Sequence, residues 1–103
     1  MKYVISWHER PAGSAREYEA AQERILGIFK DWKMPASFAI QQFVARVGEF
    51  GGYMVVETDK PTDMHYAASV FAAFAFKVEP VIDVMDAVAA ETQAIEYRKK
   101  NAP

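Results

Sequence analysis

The chain has no cysteine in its 103 residues. Disulfides, thiolate metal sites and thiol catalysis are therefore excluded. Long apolar runs are missing as well: the longest stretch, Tyr66 to Phe76, is about half of the roughly 20 residues that a bilayer span requires. The first residues, MKYVISWHERP, reach Trp, His and charged side chains too soon for the apolar region of a signal peptide. We expect a cytoplasmic protein without a membrane segment.

An excess of charge of one sign is also absent, with 12 Lys and Arg against 14 Asp and Glu and a formal net charge of -2. No basic stripe is present, so nucleic acid is not an expected partner. There is no Gly-x-Gly-x-x-Gly, phosphate loop or Gly-x-Ser-x-Gly motif, and no His-x-x-x-His or Glu-x-x-His spacing. We therefore expect no cofactor and no metal site.

What is present indicates one small globular domain spanning residues 1–103. The composition is 51% hydrophobic and 25% charged, which is typical of a folded protein with one modest core. Alternation, helical spacing and turn residues predict strands at 2–8, 38–47, 53–58 and 76–83, and helices at 14–34, from 61 onward, and at 86–100. Ser14 and Glu17 have the spacing of a capping box, and Pro35 is expected to end the first helix.

The order strand, helix, strand, strand, helix, strand, helix predicts an α+β fold. It is a ferredoxin-like βαββαβ arrangement with an antiparallel four-stranded sheet and an added C-terminal helix. Pro80 favours an edge position for the last strand. We expect the first and third strands to lie parallel in the centre, so that Trp7, His8, Glu57 and Thr58 gather at one rim.

Both faces of the predicted sheet carry apolar residues, whereas two crossover helices cover only one face. Tyr3, Ile5 and Trp7 alternate with Val4, for example. The simplest cover for the second face is a second copy of the sheet, which predicts a homodimer. Alternatively, the closing helix folds across that face.

Several separated segments resemble a known family: KYVISWHERPAGSAREYEAAQERIL, the run from Trp32 to Pro35, RVGEFGGYMVVETD and FKVEPVIDV. Together they resemble the family called domain of unknown function 3303, whose members resemble dimeric α+β barrels. The resemblance covers nearly the whole chain. It implies a dimeric α+β barrel and transfers no reaction and no catalytic residues, since dimeric α+β barrels have many different functions.

Two residues are candidates for catalysis. Glu57 follows an apolar run in a central strand, and a carboxylate in a partly apolar rim is suited to act as a general base. His8, predicted at the same rim, would form a proton-transferring pair with it. The alternative is that the strand simply emerges into solvent at Glu57, or that Glu57 pairs with a basic side chain.

A ligand-binding pocket is the other candidate site, because aromatic residues make up 14% of the chain. The predicted ligand-binding residues are Trp7, Gln42, Tyr53, Phe71 and Phe74, although core packing is the simpler explanation of the rings. Three functions stay open. They are binding of a small apolar or aromatic molecule in a cleft between sheet and helices, a cofactor-independent monooxygenase or isomerase, and a structural or regulatory partner protein without a ligand.

Overall fold

Alternating strands and helices follow one another in the predicted order in the computed structural model, which describes residues 1–102. The elements are β1 (Lys2–Glu9), α1 (Ala15–Lys30), β2 (Ala39–Ala45), β3 (Gly51–Glu57), α2 (Pro61–Val70), β4 (Phe74–Val81) and α3 (Val84–Asn101). The predicted α+β fold is confirmed. Its boundaries differ most at α1, which ends at Lys30, well before Pro35.

The strands form one four-stranded sheet in the order β2-β3-β1-β4, and every neighbouring pair is antiparallel. This is the ferredoxin-like topology, and Pro80 lies in the edge strand β4 as predicted. The prediction that β1 and β3 run parallel was wrong. The crossover through α1 makes β2 parallel to β1, and the hairpin then turns β3 antiparallel to both.

Local capping fixes the start of α1. The Ser14 side chain accepts a hydrogen bond from the Glu17 amide at 3.2 Å, and the Glu17 carboxylate accepts one from the Gly13 amide at 2.9 Å. The capping residues are those that the sequence predicted, although Glu17 reaches Gly13 rather than the Ser14 amide. This cap directs α1 back across the sheet.

The β2–β3 hairpin depends on glycine at two points. Gly48 has φ of +85°, which glycine adopts without strain. Gly52 lies so close to the Val44 carbonyl of the neighbouring strand that a side chain would overlap the backbone. The turn is also held by Arg46, whose guanidinium donates to the Glu49 carboxylate at 2.8 and 3.1 Å.

The core lies on one side of the sheet, beneath α1 and α2. On that side Ile5, Trp7, Met54, Val56 and Phe74 are buried, and Val56 has no exposed surface at all. The intervening residues of the same strands point to the other side, here called the open face, which no helix of the described residues covers.

A buried polar cluster ties the loop before β2 to the start of α2. Asp63, which is 7% exposed, accepts hydrogen bonds from the Ser37 hydroxyl at 2.7 Å and the Thr58 hydroxyl at 2.9 Å. Buried carboxylates need such donors, because an unpaired one loses its hydration without compensation. The cluster therefore fixes α2 at the end of the sheet where β3 finishes.

The helix α3 leaves the rest of the fold. Its residues are exposed throughout except for Ala87, which is half-buried. The radius of gyration is 18.7 Å and the longest dimension is 64 Å, whereas a compact chain of about 100 residues has a radius of gyration of about 13 Å. The sequence left open whether the closing helix folds across the second face of the sheet, and it does not.

Candidate ligand-binding cavity

A cavity of about 340 Å³ lies between the sheet and the two helices α1 and α2. Each element of the sheet-helix sandwich contributes to its wall, and every lining residue is apolar. The lining residues are Ile5, Trp7, Ile25, Leu26, Phe29, Trp32, Phe43, Val44, Ala45, Phe50, Met54, Met64, Ala67, Ala68, Phe71, Phe74, Phe76 and Val78.

Edge-to-face aromatic pairs build the walls of the cavity. The Trp7 and Phe43 rings are 5.1 Å apart between centroids, with an interplanar angle of 69°. Trp32 and Phe71 are 5.2 Å apart at 79°. Such pairs are favoured by the ring quadrupoles and contribute about 0.5–1.5 kcal/mol each beyond area burial. These pairs fix the relative orientation of the rings that surround the space.

Part of the cavity wall is exposed to solvent. Leu26 and Phe29 of α1 are 55% and 45% exposed, and Phe43 of β2 is 42% exposed, although all three line the cavity. Large apolar side chains that are only half covered at an opening favour contact with an apolar molecule over contact with water. The exposed part of the cavity wall is therefore apolar, like the interior.

Two buried polar atoms near this side of the sheet have no hydrogen-bond partner among the described residues. One is the indole nitrogen of Trp32, a cavity residue, and the other is a carboxylate oxygen of Glu9. Glu9 pairs with Phe74 of β4. It is the next residue after Trp7 on the same side of β1. Buried donors and acceptors without partners are uncommon and cost free energy, about 1–3 kcal/mol each.

The structure brings three of the five predicted ligand-binding residues to the cavity and leaves two outside it. Trp7, Phe71 and Phe74 line it, whereas Gln42 and Tyr53 lie on the open face. A bulge between Ile40 and Gln42 shifts the register of β2, so these two residues point to opposite sides of the sheet. The Tyr53 ring instead packs beneath the Arg46 guanidinium, 5.1 Å from its centroid.

The two predicted catalytic residues lie at opposite ends of the sheet. His8 pairs with Gly51 and Glu57 pairs with Lys2, so most of the length of β1 separates them. This separation follows from the antiparallel β1–β3 pairing. Glu57 is exposed and accepts a hydrogen bond from the Gln41 amide at 2.7 Å, and neither residue lines the cavity.

Surface ion pairs account for the shifted pKa values. The Arg46 guanidinium, through its hydrogen bonds, lowers the pKa of the Glu49 carboxyl, and the carboxylate in turn raises the pKa of Arg46. At the other end of the sheet, the hydrogen bond to Asp83 raises the pKa of Lys2. None of these groups lines the cavity.

Within residues 1–102, no group of three or more His, Asp or Glu side chains is placed to hold a metal ion.

Sequence reasoning missed part of the cavity wall. Phe29 and Trp32 are three residues apart on the apolar side of the α1 pattern, which could have marked them as facing the sheet. Phe50 lies among turn glycines, where no periodicity indicates its direction. Its ring packs edge-on against Phe74, with 5.3 Å between centroids.

No helix of the described part of the chain has the length and apolar character needed to cross a membrane.

The antiparallel sheet, with helices on one face and an apolar cavity beneath them, defines an α+β protein of ferredoxin-like topology. The chain belongs to the family described as domain of unknown function (DUF3303), whose family model matches residues 1–95. Comparison with curated proteins gave no match.

Proposed function

We propose that this protein binds a small planar apolar molecule in the cavity between the sheet and the helices α1 and α2. The observation that supports this proposal is the cavity itself, whose volume of about 340 Å³ is lined only by apolar residues. Natural ligand pockets measure roughly 300–1,000 Å³ and are mostly apolar.

The size and walls of the cavity favour a molecule of two or three fused rings. Its volume of about 340 Å³ is roughly twice that of a 150 Å³ apolar cavity that admits one benzene. Faces and edges of aromatic side chains surround it, which suits a planar ring system. The rings that line it belong to Trp7, Phe29, Trp32, Phe43, Phe50, Phe71, Phe74 and Phe76.

Binding without turnover is favoured over the enzyme alternative. Within residues 1–102, no titratable side chain lines the cavity, and the proposed general bases Glu57 and His8 are elsewhere on the sheet. A monooxygenase or isomerase that works through a protein base needs that base within hydrogen-bond reach of the substrate. The partner-protein alternative depends instead on the exposed surfaces of the molecule.

A titration that follows tryptophan fluorescence tests the proposal, because Trp7 and Trp32 both line the cavity and are the only tryptophans. We expect 1,4-naphthoquinone to quench their emission saturably, with one molecule per chain. Ala68→Phe places a ring in the cavity and should weaken binding at least tenfold. Ala72→Phe is the matched control: it is the same substitution at an exposed position outside the cavity.

The outcomes separate binding in the cavity from adsorption to the surface. Binding that survives in Ala72→Phe and is lost in Ala68→Phe supports the proposal. Equal binding by the two variants, or quenching that rises linearly without saturation, contradicts it. Circular dichroism of both variants shows whether either one has lost its fold.

A second candidate function is self-association into a homodimer. The open face carries Val4, Val55 and Tyr53 in the two central strands, and no helix covers them. Half-buried apolar residues at the centre of a sheet are stabilised by a partner that removes them from water. Light scattering over a range of protein concentrations tests this candidate, and a monomer at all concentrations contradicts it.

A further inference from the structure

The helix α3 has an apolar stripe that packs against no other element of the described part of the chain. Val84, Val88 and Ile95 lie within about 40° of one another around the helix, given 100° per residue. Their side chains are exposed, at 74%, 43% and 43% respectively. Most of the stability of a helix in a protein comes from packing of its apolar face, and none of the 18 residues of α3 is buried within residues 1–102.

The open face of the sheet is the second surface without a partner. Val4 and Val55 are paired neighbours at its centre, and Tyr53 lies two residues from Val55 on the same side. Charged residues of both signs surround this centre, namely Lys2, Glu57, Lys77 and Glu79. An apolar centre with a charged rim is the usual organisation of a protein interface.

The charges on α3 fit such a rim. Glu91 and Lys99 flank the apolar stripe on its two sides, at about 20° and 60° from Val84 by the same helical geometry. Arg98 lies about 20° beyond Glu91 on the same side, so the apolar line has charges of both signs on one side and an ammonium group on the other. The open face offers partners for both signs.

We propose that two copies of this chain exchange their α3 helices, each laying its apolar stripe across the open face of the other copy. A single symmetric dimer then covers both unpartnered surfaces of each chain. Pairing sheet against sheet would leave both α3 helices in water, and pairing helix against helix would leave both open faces in water.

The dimensions of the two surfaces agree. The 18 residues of α3 span about 27 Å at 1.5 Å per residue, and the eight residues of β1 span about 26 Å at 3.3 Å per residue. Only Ile82 and Asp83 join β4 to α3. Asp83 is held by the Lys2 ammonium, so the helix starts at the edge of its own sheet and points away from it.

Introduced cysteines test the exchange directly, because the chain has none of its own. Two single variants are prepared, Val55→Cys on the open face and Val88→Cys on α3, then mixed, allowed to equilibrate and oxidised. We expect disulfide-linked heterodimers joining positions 55 and 88, identified by peptide mass spectrometry. Val47→Cys, at the exposed hairpin tip, replaces Val55→Cys in the control mixture and should give at least tenfold less linkage to position 88.

Disulfides between two identical positions would contradict the proposed exchange of α3 helices. Predominant 55–55 linkage in Val55→Cys alone indicates sheet against sheet, and predominant 88–88 linkage in Val88→Cys alone indicates helix against helix. A monomer in light scattering at all concentrations overturns it too. Ligand binding in the cavity is not required for the exchange, so either proposal can fail while the other holds.

Discussion

The two faces of the sheet use the same strands and differ in what covers them. In β1 and β3, the buried Trp7 and Met54 alternate with Val4 and Val55, which are only half-buried. The side chains are apolar on both faces, so apolarity alone does not decide which face becomes the core. The helices α1 and α2 make that difference, since they cross only one side.

Covering one face also creates the candidate site. The helices bring aromatic side chains over the sheet, and edge-to-face pairs keep those rings apart around a cavity of about 340 Å³. No helix of the described residues covers the open face, and its apolar centre is suited to contact with another protein chain. The proposed ligand site therefore lies on one face of the sheet and the proposed interface with a second copy on the other.

The largest expected contrast between the faces comes from removing a ring from each. Phe74 is 6% exposed beneath the helices, whereas Tyr53 is 44% exposed on the open face. Phe74→Ala should lower the free energy of unfolding by about 3–5 kcal/mol, because it deletes a buried aromatic side chain. Tyr53→Ala should cost about 0.5 kcal/mol or less in the monomer, as surface substitutions do.

Urea denaturation of both variants measures this contrast. A loss for Tyr53→Ala that grows with protein concentration would sharpen the comparison, because it would show that association covers the open face. Equal losses for the two variants at low concentration would break the comparison.

A smaller effect is expected from the buried polar cluster at the end of the helix-covered side. Asp63→Ala leaves the Ser37 and Thr58 hydroxyls without their acceptor and should cost about 2 kcal/mol, the scale of a buried hydrogen bond to a charged group. Asp59→Ala is the control, since that carboxylate is almost fully exposed. If thermal unfolding shows the same midpoint for both variants, the cluster does not stabilise the fold.

The smallest effect is expected from pH at the exposed hairpin. The Arg46 guanidinium lowers the pKa of Glu49 in the folded state, so this pair stabilises the fold above the unfolded carboxyl pKa of about 4.3. That contribution is lost as the pH falls through the lower folded pKa. Comparing wild type with Glu49→Gln between pH 7 and pH 3 should show a small difference in stability that disappears in acid and shrinks in salt. A difference that grows in acid would contradict this sign.

Local chemistry made much of the fold predictable. Ser14 at the start of α1 and Pro80 in the edge strand each act through their own backbone or nearest neighbours, and both were identified from the sequence. The order of elements then follows from periodicity. The direction of β1 relative to β3 was predicted wrongly, although the predicted order of elements implies it: the crossover through α1 makes β2 parallel to β1, and the hairpin then makes β3 antiparallel to both.

The candidate site was harder to predict. Trp7, Phe71 and Phe74 were identified because large rings in regular elements usually face the core. Gln42 was placed on the wrong side because the bulge that shifts its register leaves no mark in the apolar pattern. His8 and Glu57 were expected together only because the strand direction was mistaken. The independence of α3 could not be predicted either, since its apolar stripe fits a neighbour in the same chain or in another one.

Native mass spectrometry of the gently purified protein, before and after addition of 1,4-naphthoquinone, tests the central claim most directly. We expect one small-molecule adduct per chain, either carried through purification or formed on addition, which Ala68→Phe loses and Ala72→Phe keeps. A chain that carries no adduct and forms none with the quinone, or one that binds it equally in both variants, would contradict a ligand site between the sheet and the helices.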